Sequence, residues 1–310
     1  MQPVEKSVRI AAEDSLPACN LTYYEFGKPD APVLICVHGL ARNARDFDYI
    51  AYALSDRFRV IAIDMPGRGK SPWLDDPMQY SYPNYVKWMV RFMDSLGITS
   101  CDWLGTSMGG IIGMIVAASY PTRISRLILN DIGAFIPKEG LLRISNYVGT
   151  FPPTDSPEKI KEYIFKTYTL FGITEQKHWE HLFEHSIYQQ PDGKFALTYD
   201  PEIMATIRKE SNNYTEFKDV DLFPVWKQIK CPALILRGML SDILLPQTVE
   251  QMKPTNANLN CVEFNGVGHA PALLADSQIT IVSDWLNRTQ KHSPGLMQKI
   301  KSYLFRKMIK

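Results

Sequence analysis

The chain has 310 residues, 45% of them hydrophobic and 22% charged, with a formal net charge of +1. That length and balance allow one large domain, or one domain with an insertion, around a sizeable core; they exclude a disordered chain and one that binds nucleic acid through overall charge. "MQPVEKSVRIAAEDS" lacks the apolar region of a secretory signal, no apolar run reaches the roughly 18 residues of a bilayer span, and Cys19, Cys36, Cys101, Cys231 and Cys261 form no CxxC pair, so a cytoplasmic protein with reduced core thiols is expected.

In chain order, short apolar runs alternate with longer helix-like segments. "APVLICVHG" reads as a buried strand and "ARDFDYIAYALSD" as a helix. "FRVIAIDMPGRG" is a strand and turn, "SYPNYVKWMVRFMDSLGI" a helix, "SCDWLGTS" a strand, "MGGIIGMIVAASYP" a helix and "ISRLILNDIG" a strand. From 134 to 222 the rhythm breaks. That stretch is aromatic and helix-like ("PEKIKEYIFKTYTLFG", "EQKHWEHLFEHSIY") and reads as an inserted helical cap. The alternation then returns with "CPALILRGML", "LPQTVEQMK", "LNCVEFNG" and "SQITIVSDWLNRTQ". Continuous Val/Ile/Leu runs suit strands covered on both faces, and strand–helix alternation suits a mostly parallel sheet flanked by helices. The expected organisation is a core of residues 1–133 and 223–290, a cap of 134–222, and a basic amphipathic extension of 291–310.

"LGTSMGG" places Ser107 between a predicted strand and a predicted helix, in a G-x-S-x-G frame made by Gly105 and Gly109. A nucleophile on so sharp a turn needs small neighbours, because side chains at 105 and 109 would meet adjoining backbone. The hydroxyl also needs a base, and His269 in "FNGVGHAPALL" directly follows the last predicted strand. Asp242 in "LRGMLSDILLP" is the carboxylate expected to hold the imidazole, and the order Ser…Asp…His suits three loops at one sheet edge. The expected oxyanion donors are the backbone N–H groups of Met108, just after the serine, and Leu40, after His38–Gly39.

The strand–"HG" turn, "DMPGRGKS", "GTSMGG", "RGMLSD" and "GVGHAP", in that order, resemble the α/β-hydrolase fold superfamily, and specifically its serine esterases, over roughly residues 23–289. The resemblance implies acyl transfer to water with no cofactor and no metal. It also leaves Asp131, at the end of "LILND", as the alternative acid, since some members carry theirs there. Haloalkane dehalogenases and epoxide hydrolases of this fold use a carboxylate nucleophile, against which Ser107 speaks. Carboxylic ester hydrolysis is the leading expectation. Hydrolysis of a lactone, a thioester, a hydroxyalkanoate polymer or a carbon–carbon bond are the alternatives, and a non-catalytic binding protein is the remaining one.

Other features have plainer readings. His38 is expected to be a buried hydrogen-bonding residue. "GRGKS" is no phosphate loop, because the glycine that motif needs falls at Asp64. His178, His181 and His185 near one face of a surface cap helix are expected to be solvated rather than metal-bound. Most cap aromatics are expected to pack the cap, with some lining an apolar pocket for the acyl or aromatic group of a small-molecule ester. The tail 291–310 has six Lys/Arg, no acidic residue and an apolar stripe through Leu296, Ile300, Tyr303, Leu304 and Met308, suited to a subunit contact, to the body of the protein or to a membrane surface.

Overall fold

The computed structural model describes residues 3–13, 16–212 and 216–290. The expectations for the extension 291–310 therefore lie outside the described residues. In chain order the elements are β1 (Val4–Ile10), β2 (Cys19–Phe26), β3 (Val33–Val37), α1 (Asp48–Leu54), β4 (Arg59–Ile63), α2 (Tyr82–Ser95), β5 (Cys101–Thr106), α3 (Met108–Ser119) and β6 (Ile124–Asn130). There follow β7 (Phe135–Ile136), α4 (Lys138–Ser145), α5 (Pro157–Tyr168), α6 (Gln176–Ser186), β8 (Ile187–Gln189), β9 (Phe195–Leu197), α7 (Ala205–Glu210) and β10 (Val220–Asp221). The chain closes with α8 (Phe223–Trp226), β11 (Ala233–Gly238), α9 (Pro246–Met252), β12 (Leu259–Phe264) and α10 (Asp276–Gln290).

Eight strands form one sheet in the order β1-β2-β4-β3-β5-β6-β11-β12. It is parallel from β4 to β12, and the β1–β2 and β2–β4 pairs are antiparallel. The strand period of two sends alternate residues to opposite layers. Ile35, Ile61, Trp103, Leu129 and Ile235 pack with α2, α3, α8 and α9, whereas Leu34, Val60, Leu104, Ile128 and Leu236 pack with α1 and α10. Both layers are apolar, so these strands read as unbroken hydrophobic runs rather than alternating ones.

The β1–β2 hairpin was not anticipated. β1 ("VEKSVRI") is an edge strand, exposed at most of its positions, and so shows none of the buried-run signal of the central strands.

Residues between β6 and β11 leave the sheet and return to it. Their two ends are joined by the short antiparallel pair of β7 with β10. Inside the excursion, Ile160, Ile164, Tyr168, Trp179 and Leu182 form a separate apolar cluster, with Phe151, Tyr163, Phe171 and Phe183 packed against it. The end of α6 is tied to the turn after β3. Arg42 Nη1 donates to Ser186 Oγ at 2.7 Å, and Asn43 Nδ2 donates to the His185 carbonyl at 2.6 Å. The excursion is thereby held over the carboxyl edge of the sheet. No helix among the described residues is long and apolar enough to cross a membrane.

Candidate active site

The turn from β5 into α3 is closed by backbone contact. A Cβ on Gly105 would lie 2.3 Å from the Gly109 carbonyl, and one on Gly109 would lie 2.0 Å from the Val37 oxygen. Ser107 between them has φ 50° and ψ −111°, a conformation seldom adopted by a side-chain-bearing residue. Its N–H donates to Asn130 O at 3.0 Å, which pins the turn to β6.

Ser107 Oγ is 2.9 Å from His269 Nε2, and His269 Nδ1 is 2.8 Å from Asp131 Oδ2. These partners require the tautomer with its proton on Nδ1, which leaves Nε2 to accept from the hydroxyl. Asp131 is fully buried. Its Oδ1 accepts the Gly238 N–H at 2.7 Å and its Oδ2 accepts the Ser241 hydroxyl at 2.5 Å, so β11 and the loop after it hold the carboxylate.

The expected carboxylate, Asp242, is elsewhere. Ser241 turns inward, where its oxygen also accepts the N–H groups of Ile243 and Leu244, and Asp242 turns outward beside it. There it forms a two-bond ion pair with Arg143 of α4, Nη2 to Oδ1 at 2.8 Å and Nε to Oδ2. Burial works against the charge on Asp242, but the Arg143 bonds outweigh it and hold the carboxyl below its ordinary range. Both aspartates follow a buried strand at the same edge, and both preserve the order Ser…Asp…His. Only the direction of one loop side chain separates them, and neither composition nor spacing encodes that.

Leu40, in the turn after β3, lines the cavity at Ser107, and Met108 opens α3 directly after the serine. Neither N–H donates to an acceptor among the described residues. Behind them lies Arg68, fully buried, which sequence reasoning had only noted as part of "GRGKS". Its Nε donates to Leu40 O at 2.9 Å, its Nη1 to Pro66 O and to the Tyr85 hydroxyl, each at 2.7 Å, and its Nη2 lies 3.5 Å from Met108 Sδ. Asp64 ties the same turns together by accepting the N–H groups of Ala44 at 2.7 Å and Lys70 at 2.9 Å. His38 is completely buried. It donates from Nδ1 to Gly39 O and accepts Met65 N–H at Nε2, and burial pushes its pKa down to about 3.

The cavity at Ser107 measures about 60 Å³ and is lined by Leu40, Arg42, Tyr147, Tyr168, Phe171 and Leu182, among others. Of the aromatics between 134 and 222, Phe151, Tyr163 and Phe183 pack in the excursion's own cluster, whereas Phe165 is 52% exposed. The α6 histidines are not solvated as anticipated. His178 is buried, and the rings of His178 and His181 both meet Tyr49 edge-on. Asp48, His181 and His185 bring potential metal-donor atoms within 4.8 Å of one another, but Arg45 already bonds both Asp48 oxygens. All five cysteines are free thiols.

A strand–serine–helix turn at the edge of a mostly parallel sheet, with an imidazole from the loop after the last strand, defines an α/β-hydrolase. Residues 32–276 match the family model for the alpha/beta hydrolase fold, and the chain belongs to that family, whose named relatives here are hydrolases. It is 36% identical to a 3-hydroxybutyrate-oligomer hydrolase of Cupriavidus necator, over 84% of this chain and 91% of that protein. Among solved structures, a protein of Rickettsia typhi described as a hydrolase superposes with a TM-score of 0.86 at 37% identity, covering 92% of this chain and 99% of that one. An alpha/beta hydrolase of Novosphingobium aromaticivorans superposes with a TM-score of 0.81 at 29% identity, covering 93% and 99%.

Proposed function

We infer that the protein hydrolyses carboxylic esters with Ser107 as nucleophile, His269 as general base and acid, and Asp131 as the carboxylate that orients the imidazole. The observation that carries this reading is the unbroken path from Ser107 Oγ through His269 to Asp131, at 2.9 and 2.8 Å. In the first half-reaction Nε2 takes the hydroxyl proton as Oγ attacks the ester carbonyl, and Asp131 stabilises the imidazolium that forms. The tetrahedral oxyanion rests on the N–H groups of Leu40 and Met108, at the amino end of α3. Nε2 then gives its proton to the departing alcohol. Water, deprotonated by the same nitrogen, attacks the acyl-enzyme and releases the acid and Ser107. Residues 134–222 act as a cap that supplies Tyr147, Tyr168 and Phe171 to the acyl pocket. The relative from Cupriavidus necator favours an ester of a short hydroxy acid over a long-chain lipid, in keeping with a narrow cavity.

Labelling with a fluorophosphonate, followed by turnover of p-nitrophenyl esters of increasing acyl length, tests the reading. Expected are stoichiometric labelling of the wild type, none of Ser107→Ala, and a preference for short acyl chains. Unlabelled wild type, or ester turnover that survives Ser107→Ala, overturns it.

A further inference from the structure

We propose that Ser241 is a positioning residue for the reaction, holding Asp131 against His269 and limiting how strongly that carboxylate draws a proton onto the imidazole. The proposal rests on the reading of Ser107, His269 and Asp131 given above. Ser241 is buried and its hydroxyl is fully engaged. Its oxygen accepts the Ile243 N–H at 3.2 Å and the Leu244 N–H at 3.1 Å, which fills both lone pairs. The single proton is left to point at Asp131 Oδ2, 2.5 Å away. That oxygen is the one His269 Nδ1 also reaches, at 2.8 Å.

The two donors that hold the carboxylate from this side come from the two ends of one closed turn. Gly238 N–H bonds Oδ1 at 2.7 Å, Ser241 bonds Oδ2, and the Ser241 N–H closes the turn onto Gly238 O at 3.0 Å. Two further bonds tie the turn to the segment that carries His269, from Met239 N–H to Phe264 O at 3.0 Å and from Leu240 N–H to Val267 O at 2.8 Å. A Cβ on Gly238 would lie 2.3 Å from the Gly268 carbonyl oxygen, directly before His269. Acid and base are therefore spaced by one tightly bonded piece of backbone, and Ser241 is the residue of it whose side chain meets the carboxylate.

Asp131 is fully buried, and its ion-pair partner among the described residues is the His269 imidazole. Its charge is spread over three donors, from Gly238, Ser241 and His269. Taking away the Ser241 proton leaves more of that charge facing the imidazole, so the acid–base pair takes up its proton at higher pH. The other charged groups around the pair are compensated, Asp242 by Arg143 on α4, Arg42 by Asp46 across the cavity, and Arg237 of β11 by Glu263. His181 of α6 and the phenols Tyr147 and Tyr168 line the same cavity. A change at position 241 reaches the imidazole through Asp131. A hydroxyl that served the turn alone would need only its lone pairs.

The test is the pH profile of kcat/KM for phenyl acetate, from about pH 5 to about pH 9, in full-length wild type, Ser241→Ala and Ser241→Thr. Expected in Ser241→Ala are a plateau lower by about tenfold and an acid limb about 0.5 to 1 pH higher. Ser241→Thr keeps the hydroxyl and should hold the acid limb within about 0.2 of the wild type. A serine that only shapes the turn lowers the plateau without moving the limb. An unmoved limb in folded Ser241→Ala, or an equal displacement in Ser241→Ala and Ser241→Thr, overturns the proposal alone. Should Ser241→Ala fail to fold, Ser241→Cys, a weak donor of similar size, is measured instead, with the limb expected to rise by a smaller amount. Failure of both to fold makes Ser241 a folding residue and overturns the proposal as well. Wild type that neither turns over the ester nor labels with a fluorophosphonate overturns the esterase reading and this proposal together.

Discussion

Arg68 carries a full charge in the interior, yet its bonds run to carbonyls, a phenol and a thioether rather than to a carboxylate. Neutral partners solvate the guanidinium without cancelling its field. If the N–H groups of Leu40 and Met108 hold an oxyanion, as proposed above, the charge that bonds the Leu40 carbonyl and meets the Met108 sulfur favours it. Arg68→Met is therefore expected to lower kcat by roughly 10²-fold with a smaller change in KM, since the interaction strengthens only as charge develops. Arg68→Lys should recover part of kcat by restoring the charge without the fork of donors. Equal losses in kcat/KM for both variants, arising wholly in KM, would show that Arg68 only shapes the pocket. At this scale the serine turn was legible, because its glycines leave a sequence frame. Which aspartate meets the imidazole was not, because Ser241 and Asp242 are neighbours pointing opposite ways.

The turn between β5 and α3 shows how one element can depend on a missing side chain. A Cβ on Gly109 would meet the Val37 carbonyl oxygen at 2.0 Å and its carbon at 2.5 Å, and neither can swing aside as a flexible side chain would. Gly109→Ala is expected to lower stability by about 3 kcal/mol or more, read as a large fall in thermal midpoint, or to prevent folding. An unchanged midpoint would mean that α3 can slide along β3 at little cost. The parallel strands and their helices were legible because both faces of each strand are apolar. The β1–β2 hairpin was not, because an edge strand with charged residues on its open face resembles a loop. The burial of His178 was equally hidden, since it depends on where α6 lands against Tyr49 and not on α6 itself.

Over the whole molecule, folding places His38 and His185 where burial favours the neutral ring, with pKa values pushed down to about 3. For a histidine whose folded pKa is depressed, stability is fully present above the unfolded value near 6.5 and is lost as pH falls from there toward 3. Between pH 7 and pH 5 the fully buried His38 should cost about 2 kcal/mol of stability, and the partly exposed His185 less. Denaturant unfolding of wild type and His38→Gln at both pH values checks this, with about 2 kcal/mol less loss expected in the variant. Identical losses would show that His38 takes up its proton over the same pH range in the folded and the unfolded chain. The same chain path that buries these rings gathers the ends of β5, β6 and β12 at one edge, where Ser107, Asp131 and His269 meet. The kcat values of Asp131→Asn and Asp242→Asn, measured side by side on one ester, test that convergence most directly. Expected is a fall of about 10³-fold or more for Asp131→Asn, which removes the charge beside the imidazole, against a change within about threefold for Asp242→Asn, a half-exposed ion pair. The reverse order would make Asp242 the working carboxylate and contradict the site described here.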